Sequence, residues 1–165
     1  MAKLIVRSSK APRILFIDVD GCLHPDTKGI PLIGPSISTP HFGWLPHLIG
    51  ALRGHDDVGV VVHSTWRLEY NLAELREVLG VLGGRVVDAT ARGLSRYESI
   101  VGWLEEHPTC RSFRILDDQA SEFPLPAPAE LVLCDPSSGV SAPAVLQALK
   151  AWLDEPPAKN TRQSK

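Results

Sequence analysis

The feature of the sequence that most constrains the fold is an apolar run that ends in two aspartates. Residues 13–23 are Arg-Ile-Leu-Phe-Ile-Asp-Val-Asp-Gly-Cys-Leu. The run predicts a buried strand, and side chains two residues apart in a strand face the same way. Asp18 and Asp20 can therefore address one small volume, where two anions repel unless a cation or a shared proton joins them. This predicts a divalent metal with one carboxylate free for covalent or proton chemistry; the alternative is a strand end followed by an Asp-Gly turn.

The rest of the chain alternates apolar, β-rich runs with helical patterns. Such alternation predicts an α/β fold with a central parallel five-stranded sheet and right-handed crossovers. Open sheets of this kind bind ligands at the carboxyl ends of their strands. The predicted strands are Ile14–Asp18, Val58–His63, Arg85–Ala89, Phe113–Leu116 and Leu131–Cys134, and the predicted helices are Trp44–Leu52, Leu68–Leu82, Ser95–His107 and Ala142–Leu153.

Length and composition indicate one ordinary globular domain. The chain has 165 residues, of which 44% are hydrophobic and 22% charged. We expect a single domain over residues 1–154, followed by a disordered tail over residues 155–165, which lack apolar anchors. The net charge of −2 provides no strong basic field for nucleic acid, although a local basic patch is compatible with it.

The sequence also predicts the cellular compartment. No run approaches the roughly 18 apolar residues of a membrane span, and the first ten residues lack the pattern of a signal peptide. Cys22, Cys110 and Cys134 are odd in number and widely spaced, so they form neither a zinc pattern nor a disulfide framework. We therefore expect a cytoplasmic protein with reduced thiols and no membrane partner.

Two more strand ends carry polar residues. Ser64 and Thr65 follow the second predicted strand, where a hydroxyl and the N–H groups of a helix start can hold phosphate. The simpler interpretation is a helix N-cap. Asp117 and Asp118 follow the fourth strand and, with Asp18, offer the oxygen ligands that Mg²⁺ prefers; an Asp-Asp turn is the alternative.

A cation should offset the charge of a phosphorylated substrate. Arg96, at the start of the third crossover helix, is the first candidate, Arg67 is the second and Arg92 is the third. For each of them, a solvated surface salt bridge is the alternative role.

In this order, the elements resemble the haloacid dehalogenase-like (HAD) hydrolase superfamily, most of whose members are Mg²⁺-dependent phosphatases with a Rossmann-like three-layer sandwich. Residues 16–23, 60–64 and 115–118 resemble its first, second and fourth motifs, and Arg96 stands where the third usually has Lys or Arg. The resemblance implies that Asp18 attacks phosphorus and that Asp20 is the general acid/base. It further implies that Ser64 and Arg96 bind phosphate and that Asp117 or Asp118 binds metal. With the candidates above, the predicted phosphate-binding residues are Ser64, Thr65, Arg96 and Arg67, and the predicted metal-binding residues are Asp18, Asp20, Asp117 and Asp118.

The segments 64–67, 98–107, 116–118 and 134–139 resemble a small bacterial and phage subgroup that includes the HAD domain associated with RNA-repair proteins. The spacings from Asp20 to Ser64 and from Ser64 to Arg96 leave no room for a separate cap domain. A turn-rich flap over residues 21–43 remains, in which His24, Lys28 and His41 are candidate substrate contacts. An open site admits a phosphorylated macromolecular end, from nucleic acid or phosphoprotein.

Three functions remain open at this stage. The first is a Mg²⁺-dependent phosphatase that forms an aspartyl-phosphate on Asp18. The second is a phosphatase that processes nucleic-acid ends, and the third is a catalytically weak binding or regulatory domain with the same fold. The sequence leaves the substrate and the oligomeric state undetermined.

Overall fold

A computed structural model describes residues 13–25 and 42–156. Its centre is a five-stranded sheet in the order β3-β2-β1-β4-β5, in which every pair of neighbouring strands is parallel. The predicted α/β, Rossmann-like fold is therefore confirmed, and β1 lies in the middle of the sheet. The strands are β1 (Arg13–Ile17), β2 (Val58–Val62), β3 (Val86–Ala89), β4 (Ser112–Asp117) and β5 (Leu131–Leu133).

Four α-helices connect or follow these strands. They are α1 (Leu45–Leu52), α2 (Leu72–Val78), α3 (Arg96–Glu106) and α4 (Pro143–Asp154). The prediction of one helix over residues 68–82 was wrong, because α2 is flanked by 3₁₀ turns at Thr65–Leu68 and Gly80–Arg85. Asn71 starts α2 through a capping box with Glu74.

The sheet is covered on both faces, which gives the three layers. Leu15 and Ile17 of β1 belong to a core cluster that also contains the buried residues of α1, α2 and α4. Ile14 and Phe16 point the other way, into a second cluster with Ile100 and Trp103 of α3. This alternation follows from the two-residue period of a strand, and burial on both faces explains why β1 and β2 are almost entirely apolar.

The amino end of β1 is closed by a buried arginine. Arg13 is 6% exposed and donates to both carboxylate oxygens of Asp57 at 2.6 and 3.0 Å. Its Nη1 donates to the carbonyl oxygens of Trp152 and Leu153 at the end of α4. This end of the sheet therefore has a paired charge that ties α4 to β1.

Several sequence-based expectations concern segments at the limits of the description. Lys28, His41 and most of the predicted flap lie outside the described residues, as does the predicted tail from residue 157 onward. Cys22, Cys110 and Cys134 are free thiols. Within residues 13–25 and 42–156, no helix has both the length and the apolar character needed to cross a membrane.

Candidate active site

The loops that follow β1, β2 and β4 meet at one edge of the sheet. The Asp18 N–H donates to the Leu116 carbonyl of β4 at 2.9 Å, and the His63 N–H donates to the Ile17 carbonyl of β1 at 3.1 Å. These backbone bonds extend the parallel pairing by one step beyond the strands. As a result, the side chains of Asp18, His63 and Asp117 lie side by side, as expected for carboxyl ends of parallel strands.

Asp18 is a buried carboxylate at the centre of the site. Its side chain is 1% exposed; Oδ1 accepts the Val19 N–H at 2.9 Å and Oδ2 accepts Arg96 Nη1 at 2.7 Å. Burial and the nearby Asp117 charge raise the pKa of Asp18 to about 6, against the opposing effect of Arg96. The carboxylate is thus held in one orientation in a setting where its negative charge is costly.

Asp117 holds Arg96 in place. Arg96 is the first residue of α3, after a capping box between Ser95 and Glu98, and its Nη1 lies 2.9 Å from both Asp117 oxygens. The two oxygens also accept His63 Nε2 and the Gln119 N–H, each at 2.8 Å. Burial opposes ionisation of Asp117, but the His63 hydrogen bond and the Arg96 charge outweigh it and lower its pKa. Asp117 is therefore an anion with both oxygens engaged.

Asp118 has a different environment from its neighbour. Its carboxylate lies directly over Gly21, which has a φ of +76°, and a Cβ on Gly21 would overlap it. Oδ1 of Asp118 is buried and has no hydrogen-bond partner among the described residues. Burial raises the pKa of Asp118; a side-chain hydrogen bond with Asp18 opposes this effect, and the Asp117 charge adds to it. An orphaned carboxylate oxygen beside Asp18 fits a hard divalent cation, which prefers oxygen ligands.

Cys22 lies close to these carboxylates but is a poor ligand for such a cation. Ligand atoms of Asp18, Cys22 and Asp118 lie within 4.8 Å of one another. A hydrogen bond with Cys134, together with burial, raises the pKa of Cys22 well above its ordinary value. Because a thiol binds metal as the thiolate, the two carboxylates are the better ligands here.

Asp20 makes its hydrogen bonds with residues outside this group. Its Oδ1 accepts a hydrogen bond from His24 Nε2 at 2.7 Å, and its Oδ2 accepts one from Trp66 Nε1 at 3.0 Å. Burial opposes ionisation of Asp20, but these two hydrogen bonds outweigh it and lower its pKa. Its side chain is 31% exposed, so the carboxylate is accessible as well as fixed. His24, a candidate substrate contact from the sequence, is 1% exposed, and its ring forms the hydrogen bond to Asp20.

The structure separates the phosphate-binding candidates. Ser64 is buried, and its Oγ caps the 3₁₀ turn by accepting the Trp66 N–H at 3.2 Å, so the N-cap role holds. Thr65 is exposed. Arg67 is buried and donates to backbone carbonyl groups just before the 3₁₀ turn and in the loop after β3. It therefore links these two loops. Arg92 is exposed, whereas Arg96 reaches Asp18.

Sequence reasoning missed His63 and Trp66. His63 is fully buried against Asp117, and the available signal was a histidine that ends an otherwise apolar strand. Trp66 carried no role in the sequence analysis, yet its indole N–H donates to Asp20 across 46 residues of sequence. Nothing in the local sequence indicates that long-range hydrogen bond.

Comparison with protein families found a match. A family model described as the HAD domain in Swiss Army Knife RNA repair proteins matches residues 14–145. The match extends from β1 to the first turn of α4 and includes all the site residues described above. Comparisons with curated proteins and with solved structures found no match.

Proposed function

The chain belongs to the family of HAD domains in Swiss Army Knife RNA repair proteins, and we propose on that premise that it is a Mg²⁺-dependent phosphatase. Family membership indicates a hydrolase or a related activity. The observation that carries the finer proposal is the setting of Asp18, a buried carboxylate fixed by Arg96 beside the unpartnered oxygen of Asp118. This arrangement suits a carboxylate nucleophile next to a cation.

We assign the metal to Asp18 and Asp118. Both oxygens of Asp117 are engaged by Arg96, His63 and the Gln119 N–H, so Asp117 orients the arginine instead. The Asp20 carboxylate is directed to His24 and Trp66. When bound, Mg²⁺ would neutralise charge on the phosphoryl oxygens.

The residues divide the reaction into two displacements. In the first, Asp18 attacks phosphorus, an Asp18–phosphoryl bond forms, and the bond to the leaving oxygen breaks as that oxygen takes a proton from the protonated form of Asp20. In the second, water attacks the phosphoryl group and gives a proton to Asp20, and the bond to Asp18 breaks. We expect Arg96, which contacts Asp18, to offset charge on the transferred group, and the Ser64 hydroxyl to donate a hydrogen bond to it.

A direct test uses Asp18→Asn. With 4-nitrophenyl phosphate and Mg²⁺, we expect turnover by the wild type and a loss of at least about 10³-fold in the variant. Asp135→Asn, at an exposed aspartate after β5, is the matched control and should retain activity. Wild-type turnover in Asp18→Asn would exclude it as the nucleophile. Mg²⁺ binding without turnover across a broad phosphoester panel would instead favour a binding domain.

The family description favours phosphorylated RNA ends as the substrate class. We propose this as the second level of function, because the matched family is described from RNA repair proteins. The test compares kcat/KM for 5′- and 3′-phosphorylated oligoribonucleotides, a phosphopeptide and free nucleotides. An oligonucleotide preference of at least about tenfold, or about 1.4 kcal/mol, is expected. Equal values across the panel would refute it.

A further inference from the structure

Asp20 is held at both of its carboxylate oxygens by groups that have no place in the proposed reaction. His24 Nε2 lies 2.7 Å from Oδ1, and Trp66 Nε1 lies 3.0 Å from Oδ2. The two donors come from different segments, one in the loop after β1 and the other in the 3₁₀ turn after β2. With one donor on each oxygen, rotation of the carboxylate breaks both hydrogen bonds.

His24 is itself fixed from its other side. The Phe42 N–H donates to His24 Nδ1 at 3.3 Å, so Nδ1 is an acceptor and Nε2 carries the hydrogen that is donated to Asp20. Phe42 has a φ of +63° and is the one non-glycine residue with positive φ in the described part of the chain. This conformation costs about 1–2 kcal/mol, and such strain is retained where the surroundings require it.

A cluster of tilted aromatic rings fixes both donors relative to each other. The ring of His24 lies 5.2 Å from Phe42 and 5.9 Å from Trp66, and Trp66 lies 5.6 Å from Tyr70. Trp66 is 7% exposed and His24 is 1% exposed. Such contacts restrict the rotamers of both rings, so their N–H groups stay directed at Asp20.

We propose that His24 and Trp66 are positioning residues for Asp20 and that they act mainly on the second half of the reaction. The inference depends on the proposed function, in which Asp20 accepts the proton of the attacking water. A carboxylate fixed by two N–H donors keeps a remaining lone pair directed at one place, which proton transfer requires. The bland alternative is that both hydrogen bonds only stabilise the loop.

The experiment uses 4-nitrophenyl phosphate, whose leaving group departs readily without a proton. His24→Phe and Trp66→Phe should therefore leave kcat/KM, which reports the first displacement, within about threefold. They should lower kcat by about 10- to 100-fold, with a parallel fall in KM, because hydrolysis of the phospho-enzyme becomes slow. Intact-protein mass spectrometry should show the added phosphoryl group, and nitrophenol should appear in a burst.

Two further variants sharpen the test. His24→Gln keeps an acceptor and a donor and should restore most of the kcat lost in His24→Phe. Trp103→Phe is the matched control. Trp103 is buried to a similar extent, at 8% exposed, and its indole N–H donates to Asp88, outside the site, over a distance of 2.7 Å. This variant should retain both kcat and KM. If His24→Phe does not fold, Trp66→Phe tests the same role from the other segment.

The possible results separate the two proposals. An inactive wild type refutes the proposed phosphatase function and this inference with it. An active wild type, with kcat and kcat/KM lowered equally in both variants and no phospho-enzyme, refutes the positioning role alone. Unchanged kinetics in both variants also refute that role.

Discussion

The two ends of β1 carry the same kinds of charged side chain but pair them differently. At the amino end, one arginine meets one aspartate, since Arg13 donates to both oxygens of Asp57. At the carboxyl end, one arginine meets two aspartates, since Arg96 Nη1 contacts both Asp18 and Asp117. Asp118 adds a further carboxylate there, with an oxygen that has no hydrogen-bond partner among the described residues.

Under the proposed function, the amino end of β1 stabilises the fold and the carboxyl end holds the reacting groups. A buried charge with a partner of opposite sign is compensated inside the protein. Buried carboxylates in excess of their cationic partners oppose folding unless a cation binds to them. At the amino end, the charges of Arg13 and Asp57 neutralise each other without a bound ion. The carboxyl end has an excess of negative charge that a divalent cation would neutralise, and its perturbed pKa values are those expected of a functional site.

The largest expected effect follows from removing the ion pair at the amino end of β1. Arg13→Met should lower the free energy of unfolding by about 3–5 kcal/mol, because it leaves Asp57 and two carbonyl groups of α4 without their buried donor. Urea unfolding measures this loss. Mg²⁺ should not reverse it, because the affected groups are at the opposite end of the sheet from the proposed metal site.

Arg53→Met is the control for that variant. Arg53 is exposed on the loop after α1, so the same change of residue type should cost less than about 0.5 kcal/mol. Equal losses in the two variants would show that the Arg13 pairing does not stabilise the fold.

The second effect is the pH dependence of the metal-free protein. The pKa of Asp18 is raised from 3.8 to about 6, chiefly by burial and then by Asp117. The folded state therefore binds the proton more tightly than the unfolded state, and stability falls as the pH rises from about 4 to about 6, by at most about 3 kcal/mol. Urea unfolding in EDTA from pH 4 to 7 should show this fall in the wild type and not in Asp18→Asn.

Asp57 gives the opposite sign when the same urea series is extended below pH 4. The hydrogen bond from Arg13 lowers its pKa, so its contribution is present above its ordinary pKa and is lost as the pH falls below about 4. The two ends of β1 should thus respond to pH in opposite directions. The same fall between pH 4 and 6 in Asp18→Asn as in the wild type would contradict the assignment to Asp18.

The sheet and its functional edge could be predicted from sequence because each depends on local patterns. An apolar run predicts a strand, and the polar residue that follows it then lies at the carboxyl edge, as Asp18, Ser64 and Asp117 do. The α2 region could not be predicted in the same way. Leu79 and Leu82 are fully buried in helical spacing, and a 3₁₀ turn buries the same residues as an α-helix would.

The roles of the site arginines were beyond sequence reasoning for a different reason. Arg67 and Arg96 both lie near the start of a helical segment, but Arg67 donates to backbone carbonyls and Arg96 to carboxylates. That distinction depends on where the β4 loop lies, which no local pattern specifies. The partners of Asp20 raise the same difficulty, because Trp66 reaches it from another strand end.

The third effect concerns the contact that brings Asp118 into the site. Gly21 and Gly54 both have positive φ, +76° and +82°, but only a Cβ on Gly21 would overlap Asp118, while Gly54 faces open space. Gly54→Ala should cost about 1 kcal/mol from backbone strain alone. Gly21→Ala should cost about 2 kcal/mol, because Asp118 must also move.

The comparison of the two variants isolates that contact. Isothermal titration should show weaker Mg²⁺ binding for Gly21→Ala and unchanged binding for Gly54→Ala. Equal unfolding free energies and equal Mg²⁺ affinities would mean that the approach of Asp118 to Gly21 has no part in the site.

The smallest expected effect is the change in unfolding free energy caused by Mg²⁺. It should depend only on residues at the carboxyl end of β1. A ligand that binds the folded state alone adds about 1.4 kcal/mol to stability when present at ten times its dissociation constant. Mg²⁺ should therefore raise the unfolding free energy of the wild type relative to EDTA, at matched ionic strength to remove general screening. In Asp118→Asn the increase should fall toward zero, because an anionic ligand is lost beside Asp18. Asp135→Asn, at an exposed carboxylate that accepts hydrogen bonds from Ser137, should keep the full increase. An equal Mg²⁺ response in all three proteins would show that the surplus charge at the carboxyl end of β1 does not serve to bind a cation.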